Sequence, residues 1–478
     1  MGLFDRARAR RGTGKDGPTP PKAQSIYVGR YYDDATEQAG GEIPYSGERH
    51  ILVFGPSGCG KGTRFLVPNL LNGLNDCSVV VIDPKGELAA ITADHRRKLG
   101  HDVVILNPFN ELGLGSAGFN PLANMDPNSP KFFEDAAGIG EALIQIAGQE
   151  PHWSESAQGL ITGLVMWEKK FHRDEANLEN VRMMLTESDD WIEEEDADGK
   201  KHKRKCAGLT VTAQRMVKYG GYEIESLAGR FTGENDELSG IRSSADTQTR
   251  WLLSPMMRAD LSKNGINFAN LKTRPTTVYV ILPAEQLSKH SVWLRLVIVT
   301  ALRSLYRPGG LRTVMLIDET AALGHLKPLE DAFGLVRGFR VQIAVIFQDL
   351  TQLKALYKER WETFTANAGV VMGFTPNDLT TADWMSKRSG QDTILAKGFS
   401  ENTGLSTGQK ATLSAGSGLS DQQVARPLFL PQELMGFEKG MGLLWLEDLP
   451  YPAKFFAPSY WKIRACQARA RDNPYHTG

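Results

Sequence analysis

The feature that most constrains the fold is a rhythm of short apolar runs, rich in β-branched residues, separated by stretches with helical spacing. The runs are HILVF (His50 to Phe54), SVVVID (Ser78 to Asp83), DVVIL (Asp102 to Leu106), TTVYVIL (Thr276 to Leu282), TVMLID (Thr313 to Asp318), VQIAVIF (Val341 to Phe347) and GVVMGF (Gly369 to Phe374). Hydrophobicity that is continuous rather than alternating belongs to strands buried on both faces. Their alternation with helices predicts an α/β fold with a mostly parallel sheet covered by helices. Between about Lys131 and Lys272 the rhythm stops, and segments such as SESAQGLITGLVMWEKKF (Ser154 to Phe171) predict an inserted all-alpha domain. Inside it, DDWIEEEDADGKKHKRKC (Asp189 to Cys206) runs from acidic to basic through an Asp-Gly pair and reads as a solvated loop or hairpin.

The first apolar run is followed by GPSGCGKGT (Gly55 to Thr63). A phosphate-binding loop needs glycines that let backbone N–H groups turn inward, a lysine for the β- and γ-phosphates, and a helix N-terminus behind them. Gly55, Gly58, Gly60 and Lys61 meet those needs in a strand-loop-helix context. The loop departs from the usual pattern at one place, since Gly62 stands where a Ser or Thr hydroxyl would bind Mg²⁺. The metal then depends on phosphate oxygens, water and an acidic residue from elsewhere, and Thr63 bonds the α-phosphate in this reading. A glycine-rich turn that only packs is the plain alternative.

The acidic residue is supplied by VMLIDETAAL (Val314 to Leu323), which ends an apolar run. Asp318 would hold Mg²⁺ through water, and Glu319 would act as general base on the attacking water. Two carboxylates at a strand end can instead cap the next helix. In VRGFRVQIAVIFQDLTQL (Val336 to Leu353), the strand ends at Gln348, where an amide can sense the γ-phosphate and orient the water. Arg337 and Arg340 precede that strand, and in a ring either can reach a neighbouring subunit's nucleotide as a finger.

A formal net charge of −1 gives no global basic field, so any nucleic-acid contact must come from a local patch or pore. The four cysteines, Cys59, Cys77, Cys206 and Cys466, have no CxxC spacing, which argues against a zinc site or a disulfide framework. No apolar run approaches the roughly 18 residues that span a bilayer, and the start MGLFDRARARRG has no apolar centre of a signal peptide. Residues 1–44 carry Arg6, Arg8, Arg10, Arg11, Lys15 and Lys22 around GPTPPK and read as a flexible basic arm. The stretch GFSENTGLSTGQKATLSAGSGLSD (Gly398 to Asp421) is rich in Gly, Ser and Thr and is expected to be a mobile loop.

These residues together resemble the type IV secretion coupling proteins, the TraG/TraD-like conjugative DNA-transfer ATPases, which belong with the FtsK/HerA pumps among RecA-like motors. The resemblance spans about Tyr45 to Tyr460. It rests on DPKGE (Asp83 to Glu87), FNPL (Phe119 to Leu122), WSESAQGLITGL (Trp153 to Leu164), TTVYVILPAEQL (Thr276 to Leu287), the LIDE strand, FQDLTQL and RPLFLPQELMGFEKG (Arg426 to Gly440), in that order. Phosphate loops reading GKG are familiar in this family.

The resemblance implies a RecA-like P-loop NTPase that uses ATP and Mg²⁺. It divides the chain into the arm (1–44), the first part of the nucleotide-binding domain (45–130), the all-alpha insert (131–272), the second part (273–460) with the mobile loop 398–421, and a C-terminal tail (461–478). By resemblance Lys61 and Thr63 are phosphate-loop ligands, Asp318 and Glu319 the acidic pair, Gln348 the sensor and Arg337 the finger. Asp83, Lys85 and Glu87 fill the DPKGE positions, where a structural role and a catalytic one are equally open. The implied partners are DNA, with single strands favoured, a relaxase or secreted protein as cargo, and five further copies in a homo-hexamer when active. Family members usually begin with membrane-spanning helices and none is read here. The expectation is therefore a cytoplasmic chain, peripherally held at the inner membrane by a separate secretion-system protein.

Three other functions compete. A non-translocating ATP-binding adaptor for secretion cargo would show turnover indifferent to DNA, and an FtsK/HerA-like pump would respond to duplex DNA. A small nucleotide kinase shares the GKGT loop, but such chains are usually much shorter and lack the LIDE strand.

Overall fold

The computed structural model describes residues 25–146, 151–188, 190–195, 201–206, 208–233, 236–406 and 412–475. The strands in chain order are β1 Ile26–Asp33, β2 Gln38–Tyr45, β3 His50–Phe54, β4 Ser78–Ile82, β5 Asp102–Leu106, β6 Asp190–Glu195, β7 Lys201–Cys206 and β8 Thr276–Val280. They continue with β9 Thr313–Ile317, β10 Val341–Phe347, β11 Ala368–Phe374, β12 Gln391–Ser406, β13 Thr412–Pro427, β14 Met441–Leu446 and β15 Ala453–Phe456. Eleven of them form one sheet in the order β2-β1-β15-β14-β11-β3-β10-β9-β4-β8-β5. From β11 to β5 every neighbouring pair is parallel. The four strands on the other side are antiparallel.

Each of the seven parallel strands corresponds to one of the apolar runs, because burial on both faces of all but the edge strand β5 leaves few polar positions, such as Gln342 and Thr277, to interrupt the pattern. Alternate residues feed two cores. Leu52, Phe54, Val80, Met315, Ile317 and Val345 face one side, where the helix Ala284–Leu305 and the helices between β5 and β8 cover them. Ile51, Val53, Val79, Val81, Leu316 and Ile346 face the other, beneath the helices Val67–Asn72 and Glu87–Lys98. The first core runs without a break into the helical region, through Leu160, Leu164, Trp251 and Leu252. Among the described residues, no helix is long and apolar enough to cross a membrane.

Several expectations are corrected. The arm was expected to extend to residue 44, but Ile26–Tyr45 forms an antiparallel hairpin that joins the sheet edge through β15. Ile26, Val28, Ile43 and Tyr45 are buried in the second core, and that burial is what ordering the hairpin requires. Residues 1–24, including Arg6 to Lys22, lie outside the described residues. The stretch expected as a mobile loop over 398–421 instead belongs to a two-stranded antiparallel ribbon, β12 with β13. It runs in unbroken register from Gln391↔Pro427 to Ser406↔Thr412. Ladder hydrogen bonds use the backbone alone, so a Gly- and Ser-rich composition does not forbid them; residues 407–411 lie outside the described residues. The helical region is not wholly alpha, since the stretch read as a loop or hairpin forms the hairpin, β6 paired with β7.

The segment from Arg469 to Tyr475 is tied down. Arg469 Nη1 donates to the Leu71 carbonyl (2.9 Å), Arg471 N to Ile91 O (3.0 Å), and Arg471 Nε pairs with Asp94 (2.8 Å). Asn473 Nδ2 donates to Glu87 Oε1 (2.6 Å) and the Tyr475 hydroxyl to Lys85 O (2.9 Å). This segment crosses the face made by the two helices that follow β3 and β4.

Candidate functional site

Seven parallel strands place their C-terminal ends along one rim of the sheet. Gly55 leaves β3 there, Gln348 leaves β10, Asp318 leaves β9 and Asp83 leaves β4. The Gly55 N–H donates to Phe347 O (3.0 Å), which fixes the start of the loop against β10. Gly58 (φ 78°) and Gly60 (φ 95°) have left-handed backbones that a Cβ would strain, so the loop's path depends on glycine at these two places. Lys61 Nζ donates to Gly55 O (2.5 Å), spanning the mouth of the loop, and Thr63 Oγ1 donates to Gly60 O (3.3 Å). The following helix opens with a π turn, Gly62–Leu66, before settling into Val67–Asn72. A Cβ added at Gly62 would meet nothing within 4 Å, so glycine is not required there by packing. Arg64, which sequence reasoning passed over, carries Nη1 to the Ala457 carbonyl (2.5 Å) and anchors the loop's helix to the end of β15.

The acidic side of the rim is equally ordered. Glu319 follows β9 in a left-handed conformation (φ 55°, ψ 51°), a state that costs a non-glycine residue about 1–3 kcal/mol and is concentrated at functional sites. Thr320 holds this turn, since its hydroxyl donates to Ile317 O (3.1 Å) and accepts from the Ile346 N–H (3.0 Å) of β10. Gln348 Nε2 donates to Glu319 Oε1 (3.1 Å), while the Gln348 N–H is satisfied by Gln352 Oε1 (2.9 Å). The Glu319 N–H donates to Asp318 Oδ1 (3.1 Å). Ile82 is level with Ile317, so Asp83 and Asp318 lie side by side at adjacent strand ends, where neighbouring backbones are about 4.8 Å apart. Asp83 Oδ2 accepts the Ala89 N–H (2.9 Å) and so caps the helix Glu87–Lys98.

Burial pushes the Asp83 carboxyl up to about 7; the Ala89 N–H opposes this, and Asp318 and Glu87 add to it. Burial likewise raises Asp318 to about 6, with Lys61 acting against the shift and Glu319 and Glu87 with it. Two crowded carboxylates beside one lysine call for further positive charge. Among the described residues no three His, Cys, Asp or Glu side chains form a protein cage for a metal. That combination suits Mg²⁺, which commonly takes one or two carboxylates with phosphate oxygens and water, so the residues present fit ATP and Mg²⁺.

The raised carboxyls have a measurable consequence. A carboxyl whose folded pKa exceeds its unfolded value near 3.9 binds its proton more tightly in the native state. Its contribution therefore erodes stability as pH rises from about 4 through about 7. Without Mg²⁺, Asp83→Asn is expected to stabilise the chain by on the order of 1–3 kcal/mol at pH 8 and to change little near pH 4. Thermal melts across that range check this; a difference independent of pH would mean that the charge is not its source.

The rim thus gathers Gly55, Gly58, Gly60, Lys61, Gly62, Thr63, Asp318, Glu319 and Gln348, and adds Asp83. It does not gather the arginines. The turn Val336–Phe339, which carries Arg337, precedes β10, as does Arg340, whose Nη1 donates to Gly310 O (2.9 Å). The side chain of Arg337 lies outside the described residues. Seven residues of β10, about 23 Å, separate this end of the strand from Gln348.

A family model described as Type IV secretory system Conjugative DNA transfer matches residues 5–477. The conjugal transfer protein TraG of Agrobacterium fabrum is 28% identical over 457 residues, covering 92% of this chain. The chain spans 65% of that relative's length. Among solved structures, the bacterial conjugative coupling protein TrwBdeltaN70 superposes with a TM-score of 0.64 at 16% identity, over 90% of this chain and 89% of that one. The plasmid coupling protein TrwB in complex with ADP and Mg²⁺ gives 0.63 at 16% identity, over 93% and 97%. These similarities share one fold, an α/β P-loop architecture with a large, mostly parallel sheet and a helical insert.

Proposed function

The chain belongs to the type IV secretory system conjugative DNA transfer family, and from that membership and the rim geometry we propose that it is an ATP-driven coupling protein that moves DNA, or relaxase–DNA complexes, toward a secretion channel. The observation that carries the reading is the meeting of Lys61, Asp318, Glu319 and Gln348 at one rim from three separate strands. A structural relative that holds ADP and Mg²⁺ supports the choice of ligands.

In this reading the loop from Gly55 to Thr63 holds the phosphates and Asp318 holds Mg²⁺ through water. When bound, ATP and Mg²⁺ supply the transferable phosphoryl group and neutralise its charge. Glu319 takes the proton from the attacking water. Gln348 holds the Glu319 carboxylate by the 3.1 Å bond and orients the water. Arg337 stands at the wrong end of β10 for its own loop and serves a neighbour, which makes the active form a ring, by family resemblance a homo-hexamer. The nucleotide-binding domain comprises residues from the hairpin at Ile26 to about 130 and 273–460, with 131–272 as the insert that recruits cargo. The working place is the cytoplasmic side of the inner membrane, beside a membrane protein of the secretion system.

ATP turnover of the purified chain, with and without single-stranded and duplex DNA and alongside its mass in solution, tests this. Turnover should rise with single-stranded DNA and with assembly. Stimulation by duplex alone would favour a double-strand pump. Turnover indifferent to DNA at every state of assembly would leave the adaptor.

A further inference from the structure

A cavity of about 500 Å³ opens at the rim opposite the phosphate loop, where β3 and β11 begin and β14 ends. Three indoles stand in its wall: Trp361 and Trp384 (centroids 6.4 Å apart) and Trp445, 5.9 Å from Trp384. The Arg388 guanidinium lies over two of them, 5.4 Å from the Trp384 ring and 5.6 Å from that of Trp445. Arg388 is exposed at the cavity, and among the described residues it has no carboxylate and no hydrogen-bond partner.

The other charges here are committed or peripheral. Arg49 bonds the carbonyls of Ala366 and Asn367 and pairs with Glu447 (3.6 Å), and Glu447 also accepts from the Tyr45 hydroxyl (2.7 Å). Glu362 is exposed at the mouth. Lys354 Nζ sits 4.7 Å from the Trp361 centroid and adds a further cation.

Flat aromatic walls and a guanidinium with no carboxylate partner complement a ligand that has a planar ring and an anionic oxygen. The volume lies within the range of small-ligand sites. A peptide that binds by adding a β-strand would need an open strand edge, and β11 and β14 are each paired on both sides.

We propose that this cavity takes one nucleotide of single-stranded DNA, its base on the indoles of Trp361 and Trp384 and its phosphate on Arg388. The inference rests on the DNA-handling reading above and names where the strand is held. It also links that hold to the nucleotide rim. The helix Leu350–Tyr357 begins two residues after Gln348 and carries Lys354, and its continuation carries Trp361; β3 joins Arg49 to Gly55. Stacking tolerates any base, so the grip suits a strand that must slide.

A 20-residue thymidine oligonucleotide bearing 5-iododeoxyuridine, photocrosslinked to the full chain, should form adducts at Trp361 or Trp384 that peptide mass spectrometry locates. By fluorescence anisotropy, Arg388→Gln and Trp361→Ala should each weaken binding roughly tenfold. Arg388→Gln should also lower the salt slope by about 0.7, the share of one phosphate. Trp361→Phe should keep most of the affinity. Unchanged melting temperature and ATP affinity show that the variants are folded. Adducts confined to other residues, or full affinity in both Arg388→Gln and Trp361→Ala, overturn the proposal while DNA-stimulated turnover leaves the translocation reading standing. Absence of any DNA binding by the unsubstituted chain overturns both. A cavity that instead receives another copy would show itself as an altered mass for Arg388→Gln with unaltered DNA affinity, which also overturns it.

Discussion

Glu319→Gln is expected to bind ATP as the unsubstituted chain does and to hydrolyse it roughly 10² to 10⁴ times more slowly, the contribution usual for a positioned general base. The substitution keeps the side chain's size and still offers an oxygen to Gln348 Nε2, so the rim's geometry survives. What disappears is the capacity to take a proton. The strained left-handed backbone at Glu319 and the brace from Thr320 remain as they are, so stability should hardly move. Lys61→Ala should give the contrasting signature, because in the proposed reading its cation meets the phosphates, so that its loss weakens binding as well as turnover. Nucleotide titration beside phosphate release separates the two. Turnover of Glu319→Gln at the unsubstituted level would remove Glu319 from the role of base and transfer it to another group at the rim.

Arg337→Ala is expected to lower turnover by roughly 10³ to 10⁵, the range associated with arginine fingers. Its turn lies beyond the start of β10, the length of the strand away from Gln348, and a side chain cannot cover about 23 Å. The effect must therefore be exerted on a neighbour. An Arg337→Ala chain mixed with a Lys61→Ala chain should recover part of the activity, because some interfaces then pair an intact loop with an intact arginine. Arg340 is the competitor. Its guanidinium is already engaged with Gly310 O, which argues for a structural duty. Failure of rescue in verified mixed assemblies, together with an inactive Arg340→Ala chain, would transfer the role to Arg340.

The parallel half of the sheet was legible because its strands, all but the edge strand β5 buried on both faces, read as short runs dominated by apolar residues. The antiparallel half was not. In IYVGRYYD and QAGGEIPY the exposed edge admits Arg, Asp, Glu and Gly, and the residues that anchor the hairpin are few and spaced apart. β15 is only four residues long. The ribbon of β12 and β13 gave no signal since its pairing is carried by backbone, which composition does not report. At the site, the loop and the LIDE segment could be read singly, but the meeting of Asp83 with Asp318 is a matter of register between β4 and β9. The π turn after Lys61, the grip of Arg64 on Ala457 and the three indoles around Arg388 likewise depend on segments distant in sequence.

The strand that carries the phosphate loop has its neighbours far away along the chain. β3 ends at Phe54, yet it is flanked by β10 and β11, nearly three hundred residues later. During synthesis the loop's helix and the next βα units emerge early, but the central slot beside β3 stays open until residue 374 has left the ribosome. Such long-range parallel pairing also makes for slow folding. A nascent chain therefore lacks the completed rim around the phosphate loop for most of its translation, and a truncated product ending before β11 lacks it altogether.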